Sequence, residues 1–215
     1  MFSKLSSWGL HRLYHDWAWA YDAIAAAVSL GRWFDWVRLV QPFILGPRVL
    51  EIGPGTGHLL EMLQAADGII PTGLDESQRM LRFARARTGD VIPLIRGLSQ
   101  AIPLKSATFD TIVSTFPAEF IRDERTLREL HRVLKAGGRL VILPVAQIVG
   151  GSLIEKFVAW ALALVGETPR DSLRLVSEVM LPPLEREGLE PLLHVLRAHG
   201  STVFVVIAAK PDAAA

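Results

Sequence analysis

Three closely spaced glycines form the stretch of this sequence best suited to chemistry. Gly53, Gly55 and Gly57 follow the apolar run 49–52 and precede residues compatible with a helix. A junction of strand, tight loop and helix aims backbone N–H groups and the positive end of a helix dipole at one point, and glycine lets a ligand approach the backbone closely. The sequence therefore predicts a site for a nucleotide-like cofactor at this loop.

The glycine spacing discriminates between cofactor classes. The dinucleotide fingerprint G-x-G-x-x-G needs a glycine at position 58, where this chain has His58. The phosphate loop of nucleotide hydrolases ends in Gly-Lys-Ser/Thr, which is missing here. A nicotinamide-dependent oxidoreductase stays as an alternative hypothesis that His58 opposes.

An acidic residue follows the glycines at the distance that a nucleotide-binding fold requires. Asp75 ends the short apolar segment 69–75, about 20 residues after the loop, where a carboxylate can accept hydrogen bonds from both ribose hydroxyls of a cofactor. The alternative role for Asp75 is a helix N-cap. The arginines of the next predicted helix are interpreted as a solvated face: Arg79, Arg82, Arg85 and Arg87.

Composition limits the remaining classes of function. The 23 basic and 22 acidic residues nearly cancel, which disfavours a nucleic acid partner. The chain has no cysteine, so disulfides, thiolate metal sites and cysteine nucleophiles are excluded, and we predict no metal site. The N-terminus lacks the features of a secretory signal, so we expect a cytoplasmic protein. The mean hydropathy of +0.31 nevertheless raises the question of membrane contact.

Three motifs, in order, resemble one known family. Residues 51–57 fit E-x-G-x-G-x-G, residues 75–81 fit D-x-S-x-x-M-L, and residues 128–142 resemble R-E-x-x-R-V-L-K-P-G-G-x-L-V-I. This order is similar to that of class I S-adenosylmethionine (SAM)-dependent methyltransferases, in their small-molecule "type 11" branch. The N-terminal segment also resembles those of quinone-biosynthesis and phospholipid methyltransferases, so the resemblance covers about residues 14–210.

The resemblance implies SAM as cofactor and a set of residues that bind it. Relatives carry an acid at the position of Leu98, where it accepts a hydrogen bond from the exocyclic amine of adenine, so this chain departs from the family there. In relatives the tyrosine matching Tyr21 lies near the methionine end of the cofactor, and the methionine matching Met80 packs against adenine. The predicted cofactor-binding residues are Tyr21, Glu51, Gly53, Gly55, Thr56, Gly57, Asp75, Glu76, Met80, Leu98, Ser99 and Thr115.

The resemblance also implies an α/β fold. We expect a Rossmann-like, seven-stranded, mostly parallel sheet with helices on both faces, an antiparallel C-terminal strand and a helical cap. Residues 1–43, which hold five of the six tryptophans, are predicted to form that aromatic cap, and residues 44–215 the SAM-binding domain. An apolar helical insertion is predicted at about 148–187, with a helical region interrupted at Pro182 and Pro183. Burial under a substrate cap and contact with a membrane surface are its two interpretations.

The predicted function is transfer of a methyl group from SAM to a small, apolar acceptor such as a quinone precursor or a lipid. Methyl transfer needs alignment more than acid–base chemistry, so we assign no catalytic residue. If the acceptor must lose a proton, His15, Glu119 and His194 are candidates. A SAM-binding, membrane-associated protein without activity is a further alternative, and the oligomeric state stays unassigned.

Overall fold

The sheet that carries the site has seven strands. A computed structural model of the protein describes residues 25–27, 29–149, 171–198 and 200–212. The strands are β1 (Arg48–Ile52), β2 (Ile70–Asp75), β3 (Leu94–Arg96), β4 (Phe109–Thr115), β5 (Leu134–Ile148), β6 (Glu190–Ala198) and β7 (Ser201–Ala209). They lie in the order β3-β2-β1-β4-β5-β7-β6; β1 to β5 pair in parallel, and β7 runs antiparallel to both its neighbours. This confirms the predicted fold class.

Helices connect the strands, and polar side chains cap two of them. The α-helices are α1 (Trp33–Arg38), α2 (His58–Gln64), α3 (Gln78–Thr88), α4 (Glu124–Val133), α5 (Asp171–Arg174) and α6 (Leu181–Arg186), with 3-10 turns at Gln41–Phe43 and Glu119–Arg122. The Ser77 hydroxyl accepts a hydrogen bond from the Met80 N–H at the start of α3, and the Asp123 carboxylate accepts one from the Arg125 N–H at the start of α4. Each bond satisfies a donor that the helix leaves unpaired.

Both faces of the sheet are covered by apolar layers. Side chains alternate between faces along a strand, so Leu50 and Ile52 of β1 pack in the cluster that contains Leu127 of α4, while Val49 packs in the cluster with Trp36 of α1. Glu51 therefore shares the face of Val49. The strand alternation directs this acid toward the side of the sheet that α1 and α2 cover.

The helical run after β5 differs from its prediction. A π-helix spans Leu175–Met180 and leads directly into α6, which contains Pro182 and Pro183 in its first turn. The predicted interruption at the prolines is therefore wrong. The helix continues through them and is widened just before them. Proline has no N–H to donate to the preceding turn, and the wider π-turn accommodates the unpaired carbonyls.

The proposed division of the chain stays a prediction. Residues 1–24 of the predicted cap and 150–170 of the predicted insertion lie outside the described residues. Within the described part, Trp36 and Val37 of α1 are buried in the same cluster as Val113 of β4 and Val203 of β7. At least the end of the predicted cap thus shares a core with the sheet.

Gly57 lies at the start of α2 and packs against α3, so its replacement tests the contact between these two helices. It has φ +84°, and an added Cβ would lie 2.8 Å from Ala84 Cα. We predict that Gly57→Ala lowers the free energy of unfolding by about 2–5 kcal/mol, because backbone strain and overpacking add. Gly68→Ala is the matched control, since Gly68 has φ +75° with nothing within 4 Å.

Gly68→Ala should cost only the backbone strain, about 1–2 kcal/mol. Urea denaturation of both variants measures the difference. Equal losses for the two variants would contradict the packing role of Gly57.

Candidate functional site

The glycine loop combines an open surface with a packed base. Gly53, Gly55 and Gly57 all have positive φ angles, of +70°, +54° and +84°, which glycine adopts without the strain of a side chain. An added Cβ at Gly55 would meet nothing within 4 Å, and one at Gly53 would meet only the Phe120 ring at 3.8 Å. The first two glycines therefore leave the backbone accessible to a ligand, while Gly57 is buried against α3.

Two side chains from neighbouring elements hold this loop. The Arg87 Nε of α3 donates to the Thr56 carbonyl at 2.9 Å, and its Nη1 lies 3.6 Å from a Glu61 carboxylate oxygen. The Gly55 N–H lies 3.4 Å from Asp75 Oδ2. The prediction that Arg87 belongs to a solvated face is wrong. The half-buried Arg87 ties α3 to the loop, a contact between distant residues that helical spacing does not reveal.

Glu51 is a buried acid beneath the loop. It is 2% exposed, and its Oε2 has no hydrogen-bond partner. Burial and the nearby Asp75 carboxylate raise its pKa to about 8, although the Leu60 backbone N–H at the start of α2 opposes this rise. A buried oxygen without a partner is rare and points to a missing donor, and a cationic ligand group would supply one.

Asp75 lies at the carboxyl end of β2, beside the loop. Its Oδ1 accepts from the Ser77 N–H at 2.8 Å, and its side chain is half-buried. The alternative role as N-cap is wrong, because Ser77 caps α3. The role of Asp75 toward the ribose hydroxyls of a cofactor stays a prediction.

The far end of this region is formed by the turn after β3. Leu98 is exposed and Ser99 is buried, with its Oγ 3.1 Å from Thr126 Oγ1 of α4. Glu76 is exposed, whereas Met80 is 1% exposed, so contact between Met80 and a base would need its neighbours to move. The roles of these four residues in cofactor binding stay predictions.

Aromatic rings gather at the carboxyl end of β4. Phe116 follows Thr115, the last residue of β4, and has φ +48°. Its N–H donates to the Leu143 carbonyl at 2.6 Å, and its ring stacks on Trp33 with the centroids 4.0 Å apart. A bulky residue in the left-handed region costs about 1–3 kcal/mol and often marks a functional site. The sequence predicts that acceptor chemistry lies in the segment 116–120, because it follows the carboxyl end of a strand, but it gives the Phe116 ring no role of its own.

The other candidate residues either lie outside the described ranges or are away from this aromatic cluster. Tyr21 and His15 lie outside the described residues. His194 is on β6, which β5 and β7 separate from β4, a distance of about 14 Å at normal strand spacing. Glu119, near the site in sequence, has a side chain that is 76% exposed.

A depression also lies elsewhere on the surface. It has a volume of about 720 Å³ and is lined by Arg139, His194 and Ala209 among others. These residues mark the amino end of β5 and the edge strand, away from the glycine loop. Within the described ranges, no group of three or more His, Cys, Asp or Glu residues could hold a metal ion.

The geometry suits SAM, which carries a sulfonium and an ammonium group. The unpartnered Glu51 oxygen, the open backbone at Gly53 and Gly55 and the Asp75 carboxylate provide acceptors and space for such a cation. The strand order with antiparallel β7 is that of class I SAM-dependent methyltransferases, and residues 50–142 match the family model described as a methyltransferase domain. Residues 50–142 are therefore similar to a methyltransferase domain, and the sheet has the strand order of that fold.

Proteins with sequences similar to this chain include quinone methyltransferases. Over 137 residues the chain is 36% identical to the demethylmenaquinone methyltransferase of Thermotoga maritima, an alignment that covers 61% of this chain and 59% of that protein. Over 200 residues it is 27% identical to the ubiquinone/menaquinone biosynthesis C-methyltransferase of Klebsiella pneumoniae, covering 84% and 79%. The chain spans between 53% and 59% of the length of the first three curated relatives.

A solved structure shares the fold. The SAM-dependent methyltransferase of Thermotoga maritima superposes with a TM-score of 0.59 at 22% identity, covering 88% of this chain and 93% of that one. At this identity the likeness concerns the fold alone.

The buried Glu51 predicts a pH-dependent stability. Because its pKa is raised from 4.5 to about 8 on folding, the folded state binds the proton more tightly, and stability falls as pH rises from about 4.5 to 8. We predict that Glu51→Gln has nearly the same melting temperature as the wild type at pH 5 and a higher one at pH 8.5. Thermal melts across this range measure the difference.

Glu190→Gln is the control, because Glu190 is exposed on β6. It should follow the wild type at every pH. Parallel pH profiles for the wild type and Glu51→Gln would show that Glu51 titrates normally and would contradict its raised pKa.

Proposed function

We propose that this protein transfers a methyl group from SAM to a small, flat, apolar acceptor of the quinone-precursor class. The observation that carries the proposal is the pairing of an acidic glycine-loop site with an aromatic cluster at the next strand end. The relatives named as quinone methyltransferases support the acceptor class.

The cofactor half of the site is built from β1 and β2. Glu51 offers its unpartnered oxygen to a cationic group, Gly53 and Gly55 let the ligand approach the backbone, and Asp75 accepts from ribose hydroxyls. Thr56 is buried within the same loop and is held through its carbonyl by Arg87. SAM supplies a methyl group already activated on sulfur.

The acceptor half is built from β4 and α1. The Trp33 and Phe116 rings stack, Trp36 lies 6.2 Å from Phe116, and Phe120 lies beside Gly53. Aromatic faces favour flat apolar rings through burial and offset stacking. Thr115 ends β4 between this cluster and the glycine loop of neighbouring β1, so the two halves adjoin.

Alignment is the main contribution expected from the protein. Holding two reactants in line supplies about 7–11 kcal/mol of a barrier. Within the described residues, neither Glu119 nor His194 is enclosed with the aromatic cluster, so no base is assigned. An acceptor that loses its proton to water before transfer fits this arrangement.

Methyl transfer to demethylmenaquinone analogues kept in their reduced, hydroquinone form in detergent tests the proposal, because the electron-rich hydroquinone ring can attack the methyl group. We expect methylated product from the wild type, detected by mass spectrometry, and an increase of about 100-fold in the Kd for SAM in Asp75→Ala, because two bonds to a charged acceptor are lost. Glu190→Gln should retain both properties.

Absence of methylated product from quinone, lipid and phenol panels despite tight SAM binding would contradict the activity and favour a SAM-binding protein without catalysis. Preferential binding of NAD over SAM in calorimetry would contradict the cofactor and favour the oxidoreductase alternative.

Two substitutions of Phe116 separate its ring from its backbone. Both Phe116→Gly and Phe116→Ala remove the ring, and only glycine adopts φ +48° without strain. We expect both variants to raise the KM for the acceptor at least tenfold with little change in the Kd for SAM. Phe116→Gly should be more stable to heat than Phe116→Ala. An unchanged KM in both variants would contradict the acceptor role.

We also propose that the protein rests on a membrane surface when it takes up this acceptor. Leu173, Leu175 and Val179 are exposed apolar residues in the helical run 171–186, and Val149 is exposed at the end of β5. The preceding sequence 157–165 is nearly all apolar. Within the described residues no helix is long and apolar enough to cross a bilayer, so the proposal is for interfacial contact.

Sedimentation with neutral phosphatidylcholine vesicles tests this contact. The double variant Leu175→Ser with Val179→Ser should lower the bound fraction at least threefold, because less apolar area enters the interface. Leu192→Ser with Val195→Ser is the matched control, since both residues are exposed on edge strand β6. Equal binding by both double variants would contradict the proposed surface.

A further inference from the structure

The turn after β3 presents an apolar side chain beside the cofactor half of the site. The Gly97 N–H donates to the Asp75 carbonyl at 3.1 Å, so the turn is held directly next to the end of β2. Leu98 follows and is 52% exposed. Leu98 therefore places an exposed apolar side chain next to the carboxyl end of β2.

The polar side chains that follow Leu98 are engaged with the start of α4. Ser99 Oγ lies 3.1 Å from Thr126 Oγ1 and 3.3 Å from Gln100 Oε1. The Gln100 side-chain amide donates to Asp123 Oδ2 at 3.3 Å, and Asp123 also caps α4. These bonds join the turn to α4 and engage the side chains of the two residues that follow Leu98.

The order of strand ends indicates which part of the cofactor Leu98 meets. In open α/β sheets a nucleotide lies across the carboxyl ends of adjacent strands, with the acid at the end of the second strand on the ribose. With the glycine loop at β1 and Asp75 at β2, the base extends toward β3. Leu98 is the exposed side chain at that end.

We propose that Leu98 gives the cofactor site an apolar base subsite, so that it accepts adenosine cofactors whose exocyclic amine carries an alkyl group. This inference rests on the proposed function, because it takes SAM as the cofactor. When the unsubstituted exocyclic amine of adenine moves from water to a place beside the Leu98 side chain, it loses a hydrogen bond to water and gains none in return. A methyl group on the amine removes one N–H and adds apolar contact with Leu98.

Binding of S-adenosylhomocysteine and its N6-methyl derivative to the full chain tests the proposal by calorimetry, without turnover. The wild type should bind the N6-methyl compound at least as tightly as the parent compound. Leu98→Asp should bind the parent about tenfold more tightly than the wild type does, and the N6-methyl compound more weakly than the wild type does. Leu98→Asn, which adds an acceptor without a charge, should shift both affinities in the same directions.

Val91→Asp is the matched control. Val91 is 76% exposed and precedes β3, so its substitution adds the same charge at the opposite end of the strand. It should leave both affinities unchanged. Melting temperatures of all three variants confirm that each one is folded.

Two results would overturn the inference while leaving the proposed function intact. One is a wild type that binds the parent compound at least tenfold more tightly than the N6-methyl compound. The other is a folded Leu98→Asp variant with unchanged affinity for the parent. Failure of the wild type to bind either compound, together with binding of NAD, would overturn both the inference and the proposed cofactor.

Discussion

The cost of ionising the buried Glu51 beside the Asp75 carboxylate is the constraint on which the site depends. Glu51 and Asp75 lie on the adjacent strands β1 and β2, and the field of Asp75 adds to burial in raising the Glu51 pKa. Such a pair is costly unless a proton or another cation neutralises it. A cationic group bound beside Glu51 would lower the cost of ionising it.

Close packing at two glycines holds β2 and α2 against the strand that carries Glu51. Gly73 of β2 pairs in register with Glu51, and an added Cβ there would lie 2.9 Å from a methyl of Leu60. Gly57 likewise brings α2 against Ala84 of α3. These two contacts let the positive end of α2 approach Glu51, where the Leu60 N–H partly offsets the cost of burying the acid.

Local patterns in the sequence predicted the elements, and contacts between distant residues were harder to foresee. The glycine spacing and the Asp75 position predicted a loop and a strand end that the structure places side by side, because strand ends and loops have local signatures. The Arg87 bond to the Thr56 carbonyl joins residues 31 positions apart, and no periodicity encodes it. The stacking of Trp33 on Phe116 depends on how α1 crosses the sheet, which tertiary packing decides.

The two halves of the crevice differ in a way that suits methyl transfer without a base. The Glu51 and Asp75 side attracts positive charge, and the faces of Trp33 and Phe116 also attract it through the ring quadrupoles. A cationic methyl donor at the boundary is therefore favoured from both sides, whereas a neutral, flat acceptor is favoured only on the aromatic side. In the proposed function this asymmetry would order the methyl donor and the acceptor by charge and shape, so that their binding would also align them.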